Sequence, residues 1–320
     1  MLSLSKIIDS GNPCLIGVDV GGTNLRVGVV TKHGVVWEQR VQADFAAFCR
    51  DHPPDAALDF ILDTLSGAIQ EPRARYPQAC AVGIGFPGFI DPATHMVTQS
   101  PNMPGLLDVD LVTPLSRVLN LPVLVENDAL AAGYGEYIAD NCDAAGMIYI
   151  GLGTGVGGSV ILDGKPYPGA HGVSMEIGHL IVDPGGRLCG CGNRGCLEQY
   201  ASASGIALTY AELAGDNGLD SALIAVFARD GDVNAIEAYR RGGAVLAQGL
   251  ASILKVLDVP QVVVGGGVSQ SWILMKETFD ARLQQDLIPA LRGRVQVRTS
   301  QADDQAGIIG AAMLAFARMH

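Results

Sequence analysis

The chain has 320 residues, 48% hydrophobic and 17% charged, enough for about two domains with apolar cores, which excludes a disordered or fibrous protein. Lys and Arg number 21 against 33 Asp and Glu, a net charge of -12, which excludes the broad basic surface of a nucleic-acid binder while leaving local sites for a small anion. The most apolar stretch, 244–268, is broken by Gln248, Ser252, Lys255, Asp258 and Gln261, and the segment Met1 to Cys14 lacks the apolar core of a secretory signal, so a cytoplasmic protein without a membrane partner is expected.

Taken in chain order, Cys14 to Val20, Leu25 to Thr31 and Val35 to Val41 read as strands of an antiparallel meander, being rich in Val, Ile and Leu and separated by glycine turns. A helical pattern follows at Asp55 to Gln70, then a strand at Cys80 to Gly85, a Phe86-Pro87-Gly88 turn and a helix near Asp110 to Leu119. The strand at Leu121 to Val125 leads into an Ala-rich helix running to about Ala139, with Asn127 or Asp128 at its N-cap. Strands at Met147 to Ile150 and Ser159 to Leu162 then repeat the opening strand-glycine turn-strand unit. This faint repeat predicts two related lobes with a cleft between them. A Cys-rich loop at 179–198 precedes mainly helical sequence, including a long helix at about Val233 to Leu257. The strand Gln261 to Val264 runs into Gly265-Gly266-Gly267, and a helix at about Gln305 to Arg318 closes the chain.

Three glycine-rich turns are candidates for phosphate contact, because residues without a Cβ let backbone N–H groups approach an anion. Asp19-Val20-Gly21-Gly22-Thr23 sets a carboxylate at a strand end, a pattern a plain hairpin also produces. The segment Gly151-Leu-Gly-Thr-Gly-Val-Gly-Gly158 is mostly glycine, with more freedom than a hairpin needs. Gly265 to Gly267 is as compatible with a helix-opening turn as with a nucleotide contact. Neither the Walker-type loop nor the dinucleotide fingerprint matches. His179 with Cys189, Cys191 and Cys196 supplies three thiols and one imidazole in the single short segment 179–196, the ligand set of a closed, structural tetrahedral Zn²⁺ site; a redox or disulfide role is the alternative. Cys14, Cys49, Cys80 and Cys142 read as small buried hydrophobes. Beside the Cys cluster, Glu176 and Glu198 are candidates for hydrogen bonding to a polyol, or are simply solvated acids. Asp128 is either a general base toward a hydroxyl or a helix cap.

Together these segments resemble the ROK family of the actin-like sugar-kinase superfamily over nearly the whole chain, from about Leu15 to Ala317. Asp-x-Gly-Gly-Thr falls on 19–23, Gly-Thr-Gly-x-Gly-Gly on 153–158, Glu-x-Gly-His on 176–179 and Cys-x-Cys-Gly-x-x-Gly-Cys-x-Glu on 189–198. The resemblance implies an α/β, two-lobed actin-like (ribonuclease-H-like) ATPase fold with a central ligand cleft and a zinc-stabilised loop. Its small lobe would take 1–126 plus 305–320, and its large lobe 127–304 with the zinc loop 179–198. It implies an ATP-dependent hexose kinase, with glucose O6 as the default acceptor and Asp128 as the base. Gly88, Asn102, Asn127, Asp128, Glu176, His179 and Glu198 would hold the sugar, and His179 would also bind zinc with Cys189, Cys191 and Cys196. Asp19 would orient Mg²⁺. Gly21, Gly22, Thr23 and Asn24, with Gly153, Thr154, Gly155 and Gly157, would hold the ATP phosphates, and Gly265, Gly266, Gly267 and Val268 would lie near the adenosine. A homodimer is the implied assembly.

One departure bears on the sugar pocket: the family's kinases have Ala-Gly before the sugar-binding Glu, where this chain has Ser174-Met175. A sugar-responsive regulator is the second reading, but only Met1 to Val18 precedes Asp19, much shorter than a DNA-binding domain. A zinc-stabilised sugar binder without turnover is the third. Other acceptors remain open: mannose, fructose, allose, N-acetylmannosamine and N-acetylglucosamine differ from glucose by one hydroxyl or acyl group.

Overall fold

The computed structural model describes residues 14–140, 144–302 and 305–319, so Cys142 and the segment 1–13 lie outside the described residues. Its contacts divide the chain into two units, 1–143 with 160–174 and 301–320, and 144–159 with 175–300.

In the first unit, strands β1 (Cys14–Val20), β2 (Asn24–Thr31) and β3 (Gly34–Gln42) form the expected antiparallel meander. Helices α1 (Phe45–Asp51) and α2 (Pro54–Arg75) follow. The first is not anticipated from the sequence, although Asp44 caps it by accepting from the Ala47 N–H at 2.9 Å. The second outruns its expected end at Gln70 and carries Pro72 in its last turn, where the missing N–H removes one intrahelical hydrogen bond without ending the helix. Strand β4 (Ala79–Phe86) returns parallel to β1, and a small antiparallel sheet of β5 (Phe89–Ile90), β6 (Val97–Gln99) and β7 (Leu107–Val109) interrupts the chain before α3 (Val112–Leu119). Strand β8 (Val123–Asn127) then pairs parallel with β4, giving the order β3-β2-β1-β4-β8, and leads without a loop into α4 (Asp128–Ala139).

The second unit opens with β9 (Gly146–Leu152) and the start of β10 (Val156–Leu162), the strand along which the chain passes back into the first unit. There β11 (Lys165–Pro166) folds against the end of β10. The Cys-rich loop leads to α5 (Glu198–Ala201), α6 (Ala203–Ala214), α7 (Ser221–Arg229) and α8 (Val233–Leu257). Helix α8 keeps its expected bounds, with Asp232 accepting from the Asn234 and Ala235 N–H groups and Asp258 ending it at φ 48°. Strand β12 (Gln261–Gly265) lies parallel between β9 and β13 (Gln296–Thr299), and α9 (Trp272–Asp286), which connects β12 to β13, packs on α8. The expected repeat is visible in the order: β10-β9-β12 follows β2-β1-β4, each a glycine-turned strand pair extended by a parallel strand.

Helix α10 (Ala306–Met319) lies on the first unit's sheet. Gly17 and Gly83 let it approach so closely that a Cβ at either would run into the carbonyls of Ile308 or Ala311. Gly135 and Gly310 do the same between α4 and α10. This packing corrects the division expected at 126/127. Helix α4 belongs with the first unit, because its small-residue face is buried against α10 and β4.

Candidate functional site

Asp19 lies near the end of β1, and the β1–β2 register sets it opposite Arg26, whose Nη2 lies 3.0 Å from its Oδ2. Arg26 was missed in the sequence, although a strand pair turned at Gly21-Gly22 with an acid and a base at matching positions signals it. Gly307 keeps α10 clear of the carboxylate, since a Cβ there would lie 2.7 Å from Asp19 Cγ. In the turn, Gly21 N–H donates to the Asn24 carbonyl at 2.8 Å, and the Asn24 amide lies 3.3 Å from Thr23 Oγ1. The carbonyls of Gly22 and Thr23 accept from Ala46 and Ala43 at 3.2 Å each, which ties both to the chain entering α1.

At the β8–α4 junction Asn127 is the N-cap and Asp128 the first helical residue. Asn127 Oδ1 accepts from Leu130 N–H at 2.9 Å, while its Nδ2 donates to Gly88 O at 3.0 Å and to Asp128 Oδ1 at 3.2 Å. Asp128 Oδ1 also accepts from Ala129 N–H at 2.8 Å. The pair is thereby held against the Phe86-Pro87-Gly88 turn. Gly88, at φ 151°, has no room for a Cβ beside the Gln99 carbonyl, 2.7 Å away. Ser100, buried, donates to Pro87 O at 2.6 Å and anchors the turn that carries the exposed Asn102. Glu126, preceding the pair, is 7% exposed, and burial pushes its carboxyl up to about 7 although Asn127 N–H donates to it.

In the second unit the expected phosphate loop and Glu198 are in contact. Val156 N–H donates to Glu198 Oε2 at 3.0 Å, and a Cβ at Gly155 would overlap that oxygen. Ala203 N–H and Ser204 Oγ, at the start of α6, donate to the carbonyls of Gly153 and Thr154 at 2.9 Å each. Gly157 follows within β10. Gly265 sits against Tyr149, and Gly266, at φ 81°, sits so that a Cβ would lie 2.5 Å from the Leu152 carbonyl. The glycine run therefore makes a close backbone turn beside β9, continued by a short 3₁₀ helix, Gly267–Ser271, in which Val268 is buried.

Met175 adopts φ 64°, the left-handed conformation glycine takes freely, and its carbonyl accepts from Ile177 N–H at 2.6 Å. The Ser174-Met175 departure thus retains a glycine-like backbone before Glu176. Burial pushes the Glu176 carboxyl up, opposed by His179 and reinforced by the charge of Glu198. Glu176 Oε2 lies 3.8 Å from His179 Nε2, while His179 Nδ1 lies 3.6 Å from Cys189 Sγ. Each ring nitrogen therefore has its own neighbour.

The ligand atoms of His179, Cys189, Cys191 and Cys196 all lie within 4.8 Å of one another, and the Cys191 and Cys196 sulfurs are 3.6 Å apart. A tetrahedron with Zn–S bonds of roughly 2.3 Å has edges of about 3.7 Å, so the cluster is consistent with a zinc site. Burial and its thiol neighbours push the Cys196 thiol up to about 12, a crowding of potential charge that a divalent cation relieves. Arg187, unremarked in the sequence, braces the loop. It binds Glu212 and Thr209 of α6 and the carbonyls of Gln199 and Gly205, with its guanidinium 4.7 Å from the Tyr200 ring centre. Tyr200 donates to Asp183 at 2.6 Å. Among the described residues no helix is long and apolar enough to cross a membrane.

The sequence pattern of the ROK family matches residues 15–318. The chain belongs to the ROK family. Among relatives in the family, N-acetylmannosamine kinase of Escherichia coli O157:H7 is 34% identical over 303 residues, covering 94% of this chain and 97% of the relative. Glucokinase of Streptomyces coelicolor is 32% identical over 319 residues, covering 94% and 96%. Of solved structures, the ROK family glucokinase from Streptomyces griseus in complex with glucose and AMPPNP is 33% identical, with a TM-score of 0.77 over 96% of this chain and 100% of that one. The actin-like α/β fold expected from the sequence is therefore the fold of this ROK protein.

Proposed function

We propose that this ROK protein is an ATP-dependent hexose kinase that transfers the γ-phosphoryl group to a sugar hydroxyl, glucose O6 being the first choice. The observation that carries this is the Asn127–Asp128 junction, where a carboxylate is aimed by a capped helix start and a side-chain amide. Kinship with glucokinase and N-acetylmannosamine kinase supports it. Asp128 takes the proton as the hydroxyl oxygen bonds to phosphorus and the bond to the ADP oxygen breaks. Asn127, already committed to Gly88 O and Asp128, contributes mainly by fixing that carboxylate, while Gly88, Asn102, Glu176, His179 and Glu198 supply partners for the sugar hydroxyls.

The turns at 21–24 and 153–157 would hold the ATP phosphates through groups other than the Gly21, Gly153 and Val156 N–H, which are bonded within the protein, with 265–268 near the adenosine. Asp19, a hard oxygen donor oriented by Arg26, would hold a Mg²⁺ ion, which would supply neutralisation of phosphate charge. The three sulfurs and His179 Nδ1 would hold a structural Zn²⁺ that keeps His179 and Glu198 in register. We further place the protein in the cytoplasm as a homodimer, whose assembly light scattering checks.

The kinship with N-acetylmannosamine kinase supports an N-acetylhexosamine as the second reading. ATP consumption with Mg²⁺ across hexoses and N-acetylhexosamines separates the two, with Asp128→Asn as the control. That variant is expected to bind sugar while losing kcat by a factor on the order of 10² or more. Sugar binding without turnover by the wild type would instead indicate a sensor.

A further inference from the structure

Asn127 is held by a capping arrangement whose second half comes from an unusual place. In a capping box the N-cap side chain accepts from the third helical N–H, and the third helical side chain accepts from the N-cap N–H. The first half is present, Asn127 Oδ1 with Leu130 N–H at 2.9 Å, but Leu130 is apolar and cannot return the bond. Glu126 returns it instead, its Oε1 accepting from Asn127 N–H at 2.9 Å.

Three further facts bear on this. Strand β8 is the last in its sheet order, so its outer edge has no partner strand among the described residues. Glu126 is 7% exposed, and burial raises its carboxyl to about 7, so an apolar residue would be the less costly occupant were no bond required there. The Asn127 N–H and both polar atoms of its side chain are then filled: N–H by Glu126, Oδ1 by Leu130, Nδ2 by Gly88 and Asp128.

We infer that Glu126 is a positioning residue of the phosphoryl-transfer site, holding the Asn127 N–H so that the Asn127 amide and the Asp128 carboxylate keep their aim. This rests on the function proposed above. Glu126 touches neither sugar nor nucleotide in this role. It acts through the backbone of its neighbour, and the requirement is for an acceptor oxygen at that place, whether or not it is charged.

Two replacements of similar length test it. Glu126→Gln keeps an acceptor oxygen, whereas Glu126→Met fills the space without one and suits a buried position, so it should fold. Expected is a kcat within about 3-fold of wild type for Glu126→Gln and at least about 10-fold lower for Glu126→Met, with the sugar KM changed by less than about 3-fold in both. A kcat for Glu126→Met within about twofold of wild type overturns the inference, and so does equal loss in both variants, which would assign the effect to charge. Amide hydrogen exchange at Asn127 gives a readout independent of turnover, with protection expected in wild type and Glu126→Gln and lost in Glu126→Met. If the wild type phosphorylates no hexose, the proposed function fails. Unchanged protection in Glu126→Met would refute the hold on Asn127 whatever the turnover.

Discussion

Replacing Glu126 by Gln should make the protein less sensitive to alkali. In the native state burial lifts the carboxyl from its ordinary 4.5 to about 7, against the smaller opposing pull of the Asn127 N–H. The native protein therefore holds this proton more tightly than the unfolded chain. The stabilisation is fully present below the unfolded value and is lost as pH rises from about 4.5 through about 7. At roughly 1.4 kcal/mol for each tenfold change in proton affinity, the loss is on the order of 3 kcal/mol. An amide does not titrate, so Glu126→Gln escapes it. The assay is urea unfolding of wild type and variant at several pH values between about 4.5 and 8, compared as differences, so that the pH sensitivity of the shared Cys₃His loop cancels. Relative to the variant, the wild type should weaken by a few kcal/mol across this range and then level off. A difference that stays flat with pH would refute the reasoning and show that Glu126 is ionised or solvated throughout.

Cys191→Ala should remove one of four ligands from the Cys₃His cluster, lowering zinc content from about one equivalent and lowering Tm. Unchanged metal content by elemental analysis would sink the zinc assignment. At Met175, φ 64° penalises side chains, and branched ones most. Met175→Gly should change stability by less than about 1 kcal/mol, because relief of strain offsets the lost side chain, while Met175→Val should destabilise by more than about 1 kcal/mol. Urea midpoints check the order, and a Val variant as stable as the Gly variant contradicts the strained backbone.

Much of the site was legible because its parts are local. The three sulfurs and the imidazole all fall within the segment 179–196, so spacing alone predicts the cluster, and the separation of 3.6 Å between the Cys191 and Cys196 sulfurs agrees. Asn127 and Asp128 stand where a Val-rich strand meets an Ala-rich helix, and the N-cap forms there. Arg26 was legible in principle, through the register of a hairpin turned at Gly21-Gly22, but needs the strand pairing to be drawn. Arg187 and Glu126 were not. A lone Arg in a loop and a lone Glu at the end of an apolar strand carry no pattern, and their roles depend on what surrounds them.

The sequence by itself determined what neighbours along the chain decide: the turns, the capped helices, the Cys₃His set and the membership of the ROK family. Only the tertiary structure decided what distant segments do to each other. It placed α4 against α10 through Gly135 and Gly310, anchored Glu198 on the Val156 N–H 42 positions away, and buried Glu126 enough to raise its carboxyl to about 7. The physical reason is that propensity and capping act over a turn or two of chain, whereas close packing and desolvation depend on which surfaces fill the remaining space.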